Sequence, residues 1–186
     1  MSHKICNTRR SLLKAGMVMA LTGGLSARSA FADFEQKKPA VRGLAFYNLH
    51  TGESLKTDYW VEGAYLPDAM ADINHILRDY RNDQELPIEP SLLDLLHGLR
   101  NTLDTTRPIQ IISGYRSPAT NALLATHSEG VAKGSLHMQA KAIDLHVEGV
   151  ALDDLRRAAI ALNGGGVGYY PKSNFVHVDV GRVRTW

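Results

Sequence analysis

Cysteine is almost missing from this 186-residue chain, which has only Cys6. Cys6 precedes an arginine pair and does not end an apolar run, so it does not fit a lipid-attachment cysteine. A chain with one thiol forms no internal disulfide and offers no thiolate set to a metal. Long apolar runs are missing too. The stretch from Ala15 to Leu25 is interrupted by Thr22, Gly23 and Gly24 and falls short of the roughly 20 residues that span a bilayer. Acidic residues are absent from the first 32 positions, which hold Lys4, Arg9, Arg10, Lys14 and Arg28. Removing those five from the 21 basic residues leaves 16 against 19 acidic ones, so the formal charge of +2 becomes −3. The basicity therefore belongs to the N-terminal segment, and the remainder has no compositional case for binding nucleic acid.

What is present at the N-terminus is a pattern for export. Thr8-Arg9-Arg10-Ser11-Leu12-Leu13-Lys14 is a twin-arginine motif, followed by the short apolar stretch and by Ala30-Phe31-Ala32, a small-x-small cleavage site. Residues 1–32 are expected to be a cleaved leader that sends the protein to the periplasm by the twin-arginine route. The remaining 33–186 are expected to form one domain with no membrane span, large enough to bury a core without disulfides.

Along that domain short strands alternate with amphipathic helices. Leu44–Asn48 and Ser54–Trp60 flank Thr51-Gly52-Glu53 and predict a hairpin. Pro67 suits a first helical turn, and Met70, Ile73, Ile76, Leu77 and Tyr80 follow at helical spacing. A second helix is predicted from Pro90 to about Leu103, with Leu92, Leu95, Leu96, Leu99 and Leu103 on one face, and a later one from Ala151 to Leu162. His75 and His97 fall within the first two helices and read as ordinary surface or half-buried histidines rather than ligands. Asn163-Gly164-Gly165-Gly166 follows a helix and leads into a strand, the reverse of the order that cradles a phosphate, so it reads as a helix stop and close-approach turn. Tyr169 and Tyr170 alternate faces, one suited to the core and the other to a cleft.

The second half carries the chemistry. Ser135-Leu136-His137, Ala142-Ile143-Asp144 and Phe175-Val176-His177-Val178-Asp179 supply two imidazoles and a carboxylate, enough to hold one Zn2+ with a position left open for water. In a strand from Ala142 to Val147, Asp144 and His146 share one face while Ile143, Leu145 and Val147 take the other. In a strand from Phe175 to Val180, His177 and Asp179 share a face with Phe175, opposite Val176, Val178 and Val180. Such pairs fit a site between the two strands, or a sheet with one polar outer side. Ile109–Ser113 reads as a strand that breaks at Gly114-Tyr115-Arg116, with Ser117-Pro118 opening a helix. Arg116 on that turn fits either a binder of carboxylate or oxyanion, or a surface arginine paired with a neighbouring acid.

These residues carry a resemblance. Ser135-x-His137-x6-Asp144 with the later His177, preceded by Ser113-Gly114-Tyr115-Arg116-Ser117, is similar to the M15 group of zinc peptidases acting on bacterial cell-wall peptides. The run Gly165–Pro171 through Phe175–Asp179 narrows the likeness to the murein endopeptidase K branch, and the resemblance extends over essentially all of 33–186, including Asn48–Ser54 and Trp186. The resemblance implies an α+β fold of the hedgehog/D-Ala-D-Ala peptidase type, with helices packed on a small antiparallel sheet. It implies one zinc ion held by His137, Asp144 and His177, and a role for Arg116 at the substrate or the oxyanion. The implied activity is hydrolysis of peptide cross-links in peptidoglycan, between two meso-diaminopimelate residues in this branch. A carboxypeptidase trimming stem peptides and a zinc-stabilised wall-binding module are the alternatives. Many relatives place an acid or histidine two or three residues before the last zinc histidine. Here those positions are Phe175 and Asn174, so the proton acceptor does not transfer by motif. Asp179 is the first candidate for it and His146 the second, and a carboxylate that orients a ligating imidazole is the other reading of Asp179.

Overall fold

The computed structural model describes residues 40–127, 132 and 134–186; the expected leader, 1–32, lies outside the described residues. Strands β1 (Val41–Asn48) and β2 (Ser54–Val61) form the expected hairpin, extended by the short β3 (Ala64–Tyr65). Helices α1 (Pro67–Ile76) and α2 (Pro90–Thr102) follow, each with proline in its first turn, where the missing N–H costs no helical bond. Strand β4 (Ile109–Ser113) leads through a turn into α3 (Pro118–His127), and a 3-10 turn over Leu136–Gln139 leads into β5 (Ala142–Val147). The chain then runs through α4 (Leu152–Ala161), β6 (Gly166–Tyr170), β7 (Phe175–Asp179) and β8 (Arg184–Thr185).

The α+β class holds, and the sheet is larger than a small antiparallel one. Eight strands lie in the order β3-β2-β1-β4-β5-β7-β6-β8, with β1/β4 and β6/β8 parallel and the other pairs antiparallel. One face of it is apolar. Leu44, Phe46, Ile109, Ile111, Ile143, Leu145, Val176 and Val178 are buried there in one cluster with Ile73 of α1, Leu92, Leu93, Leu96 and Leu99 of α2, and Leu155 of α4. Burial of these side chains, each worth about 1.5–3 kcal/mol relative to exposure, is what anchors the helices to the sheet. On α2, Leu93 takes the fully buried place expected of Leu95, which with Leu103 is only partly covered. Tyr80 lies beyond the end of α1, because the Leu77 carbonyl turns away to accept the Tyr115 N–H at 2.7 Å. His75 meets Glu85 at 2.7 Å and His97 meets the Gly43 carbonyl at 3.3 Å; neither joins a metal-competent group among the described residues. No helix among the described residues is long and apolar enough to cross a membrane.

Candidate active site

The opposite face of the sheet carries the polar side chains. β5 and β7 are hydrogen-bonded neighbours with Asp144 directly opposite His177, so the two strands do not wall a cleft between them. They set their polar residues side by side on one surface. His137 reaches that surface from the 3-10 turn, which Ser135 caps by accepting the His137 N–H at 3.3 Å. The turn ends at Ala140 in the left-handed region, φ 54°.

Three ligand-type atoms converge. His137 Nε2 lies 3.2 Å from His177 Nδ1 and 3.3 Å from Asp144 Oδ1, and His177 Nδ1 lies 2.8 Å from the same Oδ1. Each imidazole is tied at its other nitrogen to a group that only accepts. His137 Nδ1–H donates to the Gly114 carbonyl at 2.7 Å, and His177 Nε2–H donates to Asp179 Oδ2 at 3.0 Å. Those bonds set the tautomers, so in the neutral rings both inward nitrogens present lone pairs to one another and to a carboxylate oxygen. Three lone pairs at such separations repel unless a cation sits among them. Bonds of 2.0–2.1 Å to a tetrahedral zinc put neighbouring ligand atoms about 3.3 Å apart, close to the spacing of this trio. The donor set therefore fits zinc with one vertex open, held by His137, Asp144 and His177.

The carboxylates respond to this surrounding. Burial pushes Asp144 up, and the imidazoles of His137 and His177 overcome it and hold the group well below its usual range. Burial pulls His177 down, and its hydrogen bonds to Asp144 and Asp179 outweigh that and raise it. Burial also acts to raise Asp179, but bonds from His177, Arg184, Gly181 and Gly166 hold it low.

Asp179 is 0 % exposed, and both its oxygens are occupied. Oδ1 accepts from Gly166 N–H, Gly181 N–H and Arg184 Nη1, while Oδ2 accepts from His177 Nε2 and Arg184 Nη2. It stands on the far side of the His177 ring from Asp144. Gly165 and Gly166 make this packing possible: a Cβ on Gly165 would collide with the Asp179 carbonyl, and one on Gly166 would lie 2.5 Å from Asp179 Oδ2. The expected helix stop is thus also the close approach that seats this carboxylate.

Arg116 does reach the cluster. Its Nη2 lies 3.6 Å from Asp144 Oδ2 and 3.3 Å from Ser113 Oγ, and Nη1 is 3.5 Å from Asn121 Oδ1. These are loose contacts, and Nε is buried without a partner among the described residues. A register irregularity between Ile111 and Ser113 re-aims the end of β4, bringing Ser113 opposite Asp144. The turn that carries Arg116 is clamped from below. A Cβ on Gly114 would collide with the Leu77 carbonyl, Asp79 Oδ2 accepts the Ser117 N–H at 2.9 Å, and the Arg116 N–H donates to the His137 carbonyl at 3.2 Å. Burial pulls the Arg116 guanidinium down and the Asp144 charge pulls it back.

The structure does not bring His146 into this group. It pairs with Gln110, two residues along β5 from Asp144, outside the cavity lining, and its Nδ1 is buried without a partner among the described residues. The trio forms the floor of a cavity of about 480 Å³ whose walls include Arg116, Tyr170, Phe175, Arg184 and Trp186. Among the described residues, Asp144 is the one acidic side chain lining it. Tyr170 is the tyrosine that faces the cleft. Gly168, across from His177, gives its space to the indole of Trp186 and not to the metal position. Sequence reasoning missed Arg184, a solitary basic residue in a two-residue strand, for which no periodicity or motif spacing gives a signal.

Comparison with known proteins agrees with the geometry. A family model described as peptidoglycan L,D-endopeptidase MepK matches residues 36–186. The peptidoglycan L,D-endopeptidase MepK of Escherichia coli K12 is 46% identical over 178 residues, 96% of this chain and 96% of the relative. The protein of that name from Shigella flexneri aligns with the same figures. A probable peptidoglycan L,D-endopeptidase MepK of Haemophilus influenzae is 36% identical over 181 residues, 97% of this chain and 95% of its own. No solved structure matches. The family pattern runs from before β1 through Trp186 and so takes in every residue of the trio and its supports: the chain belongs to the peptidoglycan L,D-endopeptidase MepK family of M15-type peptidases.

Proposed function

We propose that this protein is a zinc-dependent peptidoglycan endopeptidase that hydrolyses the cross-links joining two meso-diaminopimelate residues. The observation that carries the reading is the convergence of His137 Nε2, Asp144 Oδ1 and His177 Nδ1 on the floor of an open cavity. Its relatives bear the name of peptidoglycan L,D-endopeptidases, which favours this substrate. Bound by the trio, zinc supplies a Lewis acid and brings a coordinated water to a pKa of about 7.

The chain's own residues prepare the site for that ion. The Gly114 carbonyl and the Asp179 carboxylate fix the two imidazole tautomers, and Arg184 holds Asp179 in place. Arg116, loosely held and with an idle Nε–H, is placed to bind the oxygen of the scissile carbonyl or a nearby carboxylate. Asp179 has its oxygens committed to five N–H groups and no place in the cavity lining, so we assign it to positioning His177 in place of accepting the reaction's proton. His146 is given no step. Residues 33–186 act as one domain in the periplasm, delivered by a twin-arginine leader over 1–32 that is then removed.

The test is digestion of defined 3-3 and 4-3 cross-linked dimers by residues 33–186, read by mass spectrometry. Loss of the 3-3 dimer, stopped by a chelator and restored by zinc, is the expected result. Intact dimers with trimmed stems would instead mean a carboxypeptidase, and tight binding without turnover a wall-binding module. For the address, blocking twin-arginine transport should leave uncleaved precursor in the cytoplasm; export in that background would overturn it.

A further inference from the structure

Trp186 is a large aromatic side chain that is 48% exposed and yet held from several directions. Its backbone N–H donates to the Val167 carbonyl at 3.2 Å and its carbonyl accepts the Tyr169 N–H at 3.0 Å, so the residue is bonded to the edge of β6. Its indole Nε1–H donates to the Tyr170 hydroxyl at 2.7 Å. The ring rests over Gly168, where a Cβ would come within 2.7 Å of it, and the Arg184 guanidinium stands 4.8 Å from its centroid. Tyr170 in turn stacks on Phe175 with centroids 4.5 Å apart. Ordering an indole this closely while leaving half of it open to a cavity gives little core burial. It does produce a rigid apolar wall with one polar edge already satisfied, which is how preformed ligand subsites are built.

The wall stands next to the chemistry. The Trp186 centroid lies 5.2 Å from that of His177. A group in van der Waals contact with the indole, roughly 3.5–4.0 Å away, is therefore within one residue of a bond held at the metal trio. We propose that Trp186, with Tyr170 and Phe175, is an aliphatic subsite that takes the unbranched methylene chain of the diamino acid adjoining the hydrolysed bond. This rests on the endopeptidase reading above. Charge supports the same occupant. The far end of such a chain carries a carboxylate beside its amino group, and the cavity beside the wall is lined by Arg116, whose Nε–H has no partner among the described residues. A sugar ring could also lie on an indole, but in a cross-linked peptide the glycan is several bonds away from the amide being cut.

The protein's two tryptophans make the test direct. Trp60 lies on β2, away from the cavity, so Trp60→Phe leaves Trp186 as the sole indole reporter. With turnover stopped by a chelator, titrating this variant with a sugar-free 3-3 cross-linked dimer should shift and saturate the emission, whereas the free disaccharide should leave it unchanged. In the zinc-loaded protein, Trp186→Leu should raise KM for the dimer about tenfold with kcat within about threefold and zinc content intact. Trp186→Phe, which keeps an aromatic face, should fall between, and it serves if the leucine variant does not fold. Unchanged emission at dimer concentrations that the zinc-loaded protein cleaves, or an unchanged KM in both variants, would overturn the subsite. A response to the disaccharide alone would overturn it in favour of a sugar platform. If the dimer shifts the emission but is never cleaved, the subsite stands and the endopeptidase reading falls.

Discussion

His177 and Asp179 stand two residues apart on one face of β7, and the imidazole Nε2–H donates to the buried carboxylate at 3.0 Å. The bond hands the metal-facing lone pair to Nδ1. Asp179→Asn removes the charge that favours this tautomer, so zinc affinity is expected to fall about 10–100-fold, with activity recovered at excess zinc. Arg184→Met, which loosens the carboxylate but leaves it charged, should cost less. Competition against a chelating dye measures both, and full affinity with lost turnover in Asp179→Asn would return the residue to the role of proton acceptor.

Zinc binding should weaken in acid, and His177 sets where. Its folded-state pKa is raised by Asp144 and Asp179 against the pull of burial, so below that value the ring holds a proton on Nδ1 that the metal must displace. Affinity is then expected to drop about tenfold for each pH unit below the raised pKa and to level off above it. Asp144, held low, adds no slope until far more acid conditions. Calorimetry across about pH 5 to 8, in buffers of different ionisation enthalpy, reads both the slope and the released proton.

Away from the site, Glu53 and Arg78 predict a second pH signature. Hydrogen bonds from Arg78 and then Thr51 lower the Glu53 pKa from 4.5 to about 2. A depressed folded-state value means the stabilisation is present above about pH 4.5 and is lost as the pH falls toward about 2. Glu53→Gln should therefore lower Tm at neutral pH, and the gap from the native protein should close in acid. A gap that stays constant with pH would show that the pair adds nothing through its charge.

Gly114 links the arginine turn to the first histidine. Its carbonyl holds His137 Nδ1 at 2.7 Å, and a side chain there meets the Leu77 backbone. Gly114→Ala is expected to lose about 1–3 kcal/mol of stability through the displaced turn and, with it, a measurable part of the zinc affinity. Chemical denaturation without metal separates the first effect from the second.

Much of this was legible in the chain itself, and the limits have physical causes. β5 runs from Ala142 to Val147 as its alternation predicts, and the polar and apolar residues of β5 and β7 take the opposite faces that a period of two dictates. What alternation cannot specify is the neighbour. Whether two such strands face one another or lie side by side depends on sheet order, which the order β4-β5-β7-β6 settles through contacts between distant segments. Ser113 turns to the polar side through a register irregularity that no residue type announces. Asp179 reads from sequence as an available base because its partners Gly166, Gly181 and Arg184 come together only in the folded sheet.

The pairing of Asp144 with His177 also bears on how the sheet finds its alignment. A slip of one residue between β5 and β7 would set Val176 or Val178 across from Asp144 and turn both imidazole and carboxylate of β7 toward the leucines of α2 and α4. Asp144 would then lose His177, and the Asp179 charge would be buried against apolar side chains, at a cost of several kcal/mol. The polar trio is therefore a proofreading device for strand register: the same three side chains that await an ion reject the misaligned versions of the fold before any ion arrives.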